Sequence, residues 1–172
     1  MTRGLHIQPM EKKDLEFIHK LRTNPDMMDY WFEEPYMTKE HLEDIYDERL
    51  KNHDHRLFIL HHYNERVGFL GILRMDPRHQ HAEFAIMIAP EHQGKGYATN
   101  STRLLINYAF KQLPLHKLYL YVDKENEKAA HIYEKIGFQK EGELREHYFV
   151  QGKYHNVIVM SLLRDEYVEL SD

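Results

Sequence analysis

The chain contains no cysteine. That absence excludes disulfide cross-links, zinc–thiolate centres and cysteine nucleophiles. No window approaches the ~18 uninterrupted apolar residues of a membrane-spanning helix. Residues 1–10, with Arg3, His6 and Gln8, lack the apolar stretch of a secretion signal. A cytoplasmic protein without a membrane partner is therefore expected, and the acceptor pattern Asn100-Ser101-Thr102 carries no weight for glycosylation. Glycine and proline are sparse, at 8 and 6 in 172 residues. They form no linker, and neither an internal repeat nor a low-complexity run is present, so one domain over residues 1–172 is expected. Positive charge is in deficit, with 23 Lys and Arg against 28 Asp and Glu and a net charge of -5. That balance argues against a nucleic-acid partner and suits a cationic small molecule.

Histidine, by contrast, is abundant, at 14 residues. Their charge changes strongly between about pH 7.5 and 6. The pairs His53/His55 and His79/His81 would each place both rings on one face of a strand. Sequence supplies no third ligand to either pair, so no metal is expected.

Helices and strands alternate along the chain. Leu15, Ile18 and Leu21 recur at helical spacing and predict a helix over Lys12–Arg22, with Pro25 marking its end. Thr38 suits the cap of a second helix that carries Leu42, Ile45, Tyr46 and Leu50 on one face. Arg56–His62, Val67–Arg74 and Ala82–Ala89 read as strands with short connections, hence an antiparallel meander. Ala98–Lys111 is strongly amphipathic, Lys117–Val122 is a strand, and Asn126–Ile136 is a helix ended by Gly137. Phe138–Val150 and Lys153–Leu163 flank a turn at Gln151-Gly152. Strands 82–89 and 117–122, joined through a helix, would be parallel if they share a sheet. The product is a mixed α/β sheet flanked by helices.

The segment from Ile88 to Ala98 lies between a strand and a helix. Gly94 and Gly96 let the backbone approach a ligand closely. The helix start beyond them offers free N–H groups and a positive dipole end, and Lys95 adds a full charge. These features suit a pyrophosphate. Neither the G-x-x-x-x-G-K-[ST] loop nor the G-x-G-x-x-G fingerprint is present.

The spacing Gln93-x-x-Gly96-x-Ala98 resembles the acetyl-CoA pyrophosphate loop of the GNAT acyltransferases. Some thirty residues on, Asn126-x-x-Ala129-x-x-x-Tyr133-x-x-x-Gly137-Phe138 is similar to the second hallmark of that family. Tyr30-Trp31-Phe32-Glu33-Glu34-Pro35-Tyr36 further resembles the bacterial spermidine/spermine N-acetyltransferases. The similarity runs from about Leu15 to Tyr167. It implies the GNAT fold, a central and mostly antiparallel twisted sheet flanked by helices, with acetyl-CoA as cosubstrate and a polyamine as acceptor. It also implies a homo-oligomer, as large as a dodecamer.

By this resemblance Tyr133 is the general acid that protonates the leaving CoA thiolate. Met87, Ile88 and Ala89 face the pantetheine arm, with the Ile88 N–H toward the thioester carbonyl. Gln93, Gly94, Lys95, Gly96, Tyr97, Ala98 and Thr99 hold the pyrophosphate, and Asn126, Lys128 and Ala129 contact CoA. Asn126 reads independently as a helix cap. The acceptor is a flexible polycation, which calls for spaced carboxylates and aromatic faces. Tyr30, Trp31, Glu33 and Glu34 supply these, the resemblance adds Met28 beside Glu33 and Glu34 in a polyamine pocket, and Glu83 is a carboxylate within an apolar strand. Burial could raise its pKa toward that of a base. A water chain, or reaction from the small neutral fraction of the amine, would serve equally.

The sequence departs from the family where acids are usual, with His41, Gly71 and Arg74, and Arg22 replaces a neutral polar residue. These changes put the family's allosteric polyamine pocket and its metal in question. A GNAT enzyme acting on a protein N-terminal amine or another small amine, and a non-catalytic acetyl-CoA or polyamine sensor, remain open on sequence grounds.

Overall fold

A computed structural model describes residues 3–167. Seven strands form one sheet in the order β1-β2-β3-β4-β5-β7-β6. They are β1 (Leu5–Pro9), β2 (Arg56–His62), β3 (Glu65–Asp76), β4 (His81–Ile88), β5 (Lys117–Asp123), β6 (Gln139–Val150) and β7 (Lys153–Leu163). Every pairing is antiparallel except β4 with β5. The expected meander and the parallel strand–helix–strand unit are both present. Five α-helices accompany the sheet: α1 (Leu15–Arg22), α2 (Pro25–Trp31), α3 (Lys39–Lys51), α4 (Tyr97–Gln112) and α5 (Glu127–Ile136).

Strand alternation divides the core into two layers. Phe58 and Leu60 on β2, with Leu70 and Ile72 on β3, pack toward Leu105, Ile106 and Ala109 of α4 and Ile136 of α5. Ile59, Phe69 and Met87 face the other way, toward Ile18 and Leu21 of α1, Met27 and Met28 of α2 and Leu42 of α3. Both faces of β2, β3 and β4 are thus covered, which accounts for continuous apolar runs such as Phe58-Ile59-Leu60. Gly68 permits the close approach of β3 to β4, because a Cβ there would lie 2.5 Å from the Met87 carbonyl oxygen.

Two elements escape the sequence reading. Strand β1 is a short segment with little alternation, and it forms by pairing with β2. Helix α2 begins at Pro25, which was expected only to terminate the preceding helix. The proline occupies the first turn, where its missing N–H leaves no bond unmade, and Asn24 Oδ1 caps Met27 N at 3.3 Å. Thr38 caps α3 as expected, Asn126 caps α5, and Gly137 closes α5 at φ 119°. The histidine pairs do not lie on strands as supposed: His53 is in a turn, and His79 precedes β4.

Candidate active site

Strands β4 and β5 pair at three positions only: His81 with Lys117, Ala82 with Leu118 and Glu83 with Tyr119. Beyond Glu83 they diverge and leave a wedge in the middle of the sheet. The Ala89 N–H donates to the Val67 carbonyl on the β3 side at 3.0 Å. Polar groups alternate in direction along a strand, so the Ile88 N–H and C=O point away from β3, into the wedge. Gln93 Nε2 donates to that Ile88 carbonyl at 3.2 Å. Met87 and Ala89 are buried against the α1–α3 layer.

The mouth of the wedge leads to the start of α4. Gly94 and Gly96 both adopt φ 76°, and a Cβ at either would meet no protein atom within 4 Å. Their conformation is one that glycine adopts without strain. Gly96 is the N-cap of α4 and offers no capping side chain, and the first turn holds no acid. The early N–H groups of the helix therefore face outward with the dipole's positive end unopposed. Lys95 is exposed beside them. Of the other residues expected here, Ala98 and Thr99 lie in this first turn. Tyr97 turns its side chain inward, and its hydroxyl meets His62 Nδ1 at 3.0 Å.

Helix α5 follows the far side of the wedge. Asn126 Oδ1 accepts from Ala129 N at 3.1 Å, which fixes the first turn, and Lys128 is exposed there. One turn on, Tyr133 packs edge-on against Phe84 and Phe138, with ring centroids 6.1 and 5.7 Å away. Burial raises its hydroxyl pKa well above the ordinary phenol value, so the phenol stays protonated and has a proton to give. Phe84 is the first residue of β4 past its last pairing with β5, so Tyr133 stands near the apex of the wedge.

The acceptor side is more heavily paired than sequence suggested. Glu83 forms an ion pair with Arg74. Burial pushes its pKa up, while Arg74 pulls it back down. Glu33 forms an ion pair with Arg22. Glu34 and Tyr30 are exposed. Trp31 packs on Phe69 with centroids 6.0 Å apart, and Met28 is 1% exposed within the core between α2 and the sheet. Sequence reasoning did not single out Arg49 of α3, which enters the same region beside Arg22 and Trp31. His41 is exposed on the first turn of α3.

The histidine pairs acquire acidic neighbours that spacing did not supply. Donor atoms of Asp76, His79 and His81 lie within 4.8 Å of one another. Asp76 uses Oδ1 to accept the Arg78 and His79 N–H groups and Oδ2 to meet His79 Nδ1, all at 2.9 Å. Its carboxylate is thus already occupied in closing the β3–β4 turn.

A wedge between two parallel strands, opening on an uncapped helix start, is the architecture of an acyl-CoA-dependent transferase. The chain matches the acetyltransferase (GNAT) domain family over residues 5–139, and it belongs to that family. It is 44% identical over 167 residues to the spermidine N(1)-acetyltransferase of Escherichia coli (strain K12), covering 97% of this chain and 90% of that one. It is 40% identical over 173 residues to the spermidine N(1)-acetyltransferase of Vibrio cholerae, covering the whole of both. The solved structure of a Vibrio cholerae spermidine N-acetyltransferase in complex with CoA and spermine superposes with a TM-score of 0.94 at 40% identity, over 96% of this chain and 99% of that one. Among the described residues no helix is long and apolar enough to cross a membrane.

Proposed function

We propose that this chain is one acetyltransferase domain that moves the acetyl group of acetyl-CoA to a primary amine of spermidine or spermine by direct attack. The observation that carries the chemistry is the wedge: it turns the Ile88 N–H away from β3 beside an uncapped helix start, with the Ile88 carbonyl held by Gln93. Identity along nearly the whole chain to spermidine N(1)-acetyltransferases supports the acceptor.

The residues divide the work as follows. The N–H groups of Gly94, Lys95, Gly96 and the first turn of α4 hold the pyrophosphate. The Ile88 N–H faces the thioester carbonyl, where negative charge develops as the amine attacks. When the C–S bond breaks, the thiolate takes the Tyr133 phenolic proton, the proton displaced from the amine passes to water, and water returns a proton to the Tyr133 phenolate, which restores the enzyme. Glu83 is tied to Arg74, so the attacking amine is drawn from its neutral fraction rather than deprotonated by this carboxylate. Tyr30, Trp31, Glu33 and Glu34 border the acceptor path.

We also infer cytoplasmic location, a homo-oligomer and neither nucleic-acid nor membrane partners. The exposed aromatics Tyr30, Tyr36, Phe149 and Tyr154 support self-association. The arginines at positions 22, 49 and 74 favour a second reading, a singly charged acceptor such as a protein N-terminus.

Release of CoA thiol from acetyl-CoA, measured with spermidine, spermine, putrescine and an N-terminal peptide, decides between them. Saturable turnover with spermidine or spermine is expected. Turnover on the peptide alone would keep the fold and replace the acceptor.

A further inference from the structure

Two ion pairs border the acceptor path, and they are opposite in exposure. Where Arg22 meets Glu33 the arginine is the sheltered member, its side chain 16% exposed against 42% for the acid. Where Arg74 meets Glu83 the acid is the sheltered member, at 16% against 67% for the arginine. A guanidinium that exposed loses little by turning into water. A carboxylate that sheltered is unfavourable when left bare. Only the second pair is therefore suited to exchange: its arginine can leave when another cation takes its place.

The backbone brings this arginine to the acid. Glu83 lies opposite Leu73 in the register of β3 and β4, so regular alternation would turn Arg74 to the other face of the sheet. Instead Arg74 adopts φ 50°, and the register shifts between Leu73 and Asp76. Ile72 and Met75, three residues apart, consequently both pack in the core layer beneath α4. A bulge of this kind re-aims a side chain, and the left-handed backbone strains an arginine where glycine would sit freely.

The surroundings of Glu83 suit an ammonium group. Tyr119 is its register partner on β5. Tyr121 packs edge-on against Tyr119 and Tyr148, with ring centroids 5.8 and 6.4 Å away. Phe32, just past α2, stacks on Tyr148 at 4.3 Å. Cations are attracted to aromatic faces as well as to carboxylates.

We propose that Arg74 is a specificity-determining residue: it is a resident cation on Glu83, and an ammonium group of the acceptor displaces it on binding. This inference rests on the polyamine acceptor proposed above. The attacking amine is neutral, so the displacing ammonium is a second charge on the same molecule. Glu83 passes from one cation to another and is never left bare. Arg74 thus holds down the affinity for polyamines and leaves singly charged amines unaffected.

Steady-state kinetics of the full chain with spermidine and with hexylamine, joined to calorimetric titration with spermidine alone, test the displacement. Arg74→Gln is expected to lower both KM and Kd for spermidine at least about fivefold, with KM for hexylamine within about twofold of the parent. Damage to the fold does not produce such a gain. Arg74→Gly, which removes the charge and suits the left-handed backbone, is expected to give the same gain. Arg74→Lys keeps the charge and is expected to resemble the parent. Circular dichroism establishes that each variant is folded. Spermidine bound more tightly by Arg74→Gln but turned over by neither chain would remove the reaction assigned above and keep the displacement. Spermidine turned over with unchanged KM and Kd in folded Arg74→Gln and Arg74→Gly would overturn the displacement and keep the reaction. An equal gain with hexylamine, or no binding of spermidine by any of the chains, would overturn it as well.

Discussion

Tyr133 shows how one side chain can be both core and reagent. Its ring is held by Phe84 and Phe138, and the same burial keeps its hydroxyl protonated. Tyr133→Phe keeps the packing and removes the proton. Turnover is expected to fall about a hundredfold, within the range for a positioned general acid, with acetyl-CoA affinity nearly unchanged. Parallel steady-state kinetics and cofactor titration check both halves. Asp76 makes a pH prediction. Its hydrogen bonds to His79 hold its pKa at about 2, below the ordinary 3.8. A depressed carboxylate contributes stability that is present above the unfolded pKa and lost as pH falls through the folded one. The melting temperature of the parent should therefore exceed that of Asp76→Asn above pH 4, and the difference should close near pH 2. A thermal melt series from pH 6 to 2 reads this directly. The pairings of Arg22 with Glu33 and of Arg74 with Glu83 were not legible in sequence. Each partner sits on a different element, and only the folded packing brings them together.

At the scale of elements, local signals were read well where they act locally. Asn126 and Thr38 cap the helices they precede, and Gly137 ends α5, because each effect spans three or four residues. Strand β1 carries little local signal because its pairing partner lies about fifty residues or more away. Pro25 was misjudged because one missing N–H can end a helix or begin one, and the Asn24 cap decides which. The glycine loop before α4 was legible in outline. The structure adds that a Cβ at Gly96 would touch no protein atom and that the backbone itself is left-handed there. Gly96→Val therefore combines two effects, strain of about 1–2 kcal/mol and a branched Cβ where an anion would lie. Cofactor affinity is expected to fall at least about tenfold, more than Gly94→Ala reduces it. Retained affinity in the Gly96→Val chain would remove the loop from the binding site.

The whole molecule is organised about a sheet whose two halves meet at three residue pairs. On one side stand β1 to β4, on the other β5, β7 and β6. Arg164, beyond β7, reaches back to the Leu115 and Leu113 carbonyls at 2.7 and 2.9 Å and ties the end of α4 to the second half. The seam leaves β4 beyond Glu83 without rungs to β5, so the sheet opens most readily there, while one core beneath α4 and α5 still joins the two halves. A cofactor arm stretched along β4 would take the place of the absent rungs, as an extra strand does in β-augmentation. Amide protons of residues 84–88 on the open side should exchange quickly in the free chain and slow markedly when acetyl-CoA is present. Saturation at a hundred times Kd should add about 2.7 kcal/mol to stability, visible as a rise in melting temperature. The substrate of the reaction would then also be the last piece of the sheet, and starvation for acetyl-CoA would leave the protein easier to unfold and to degrade.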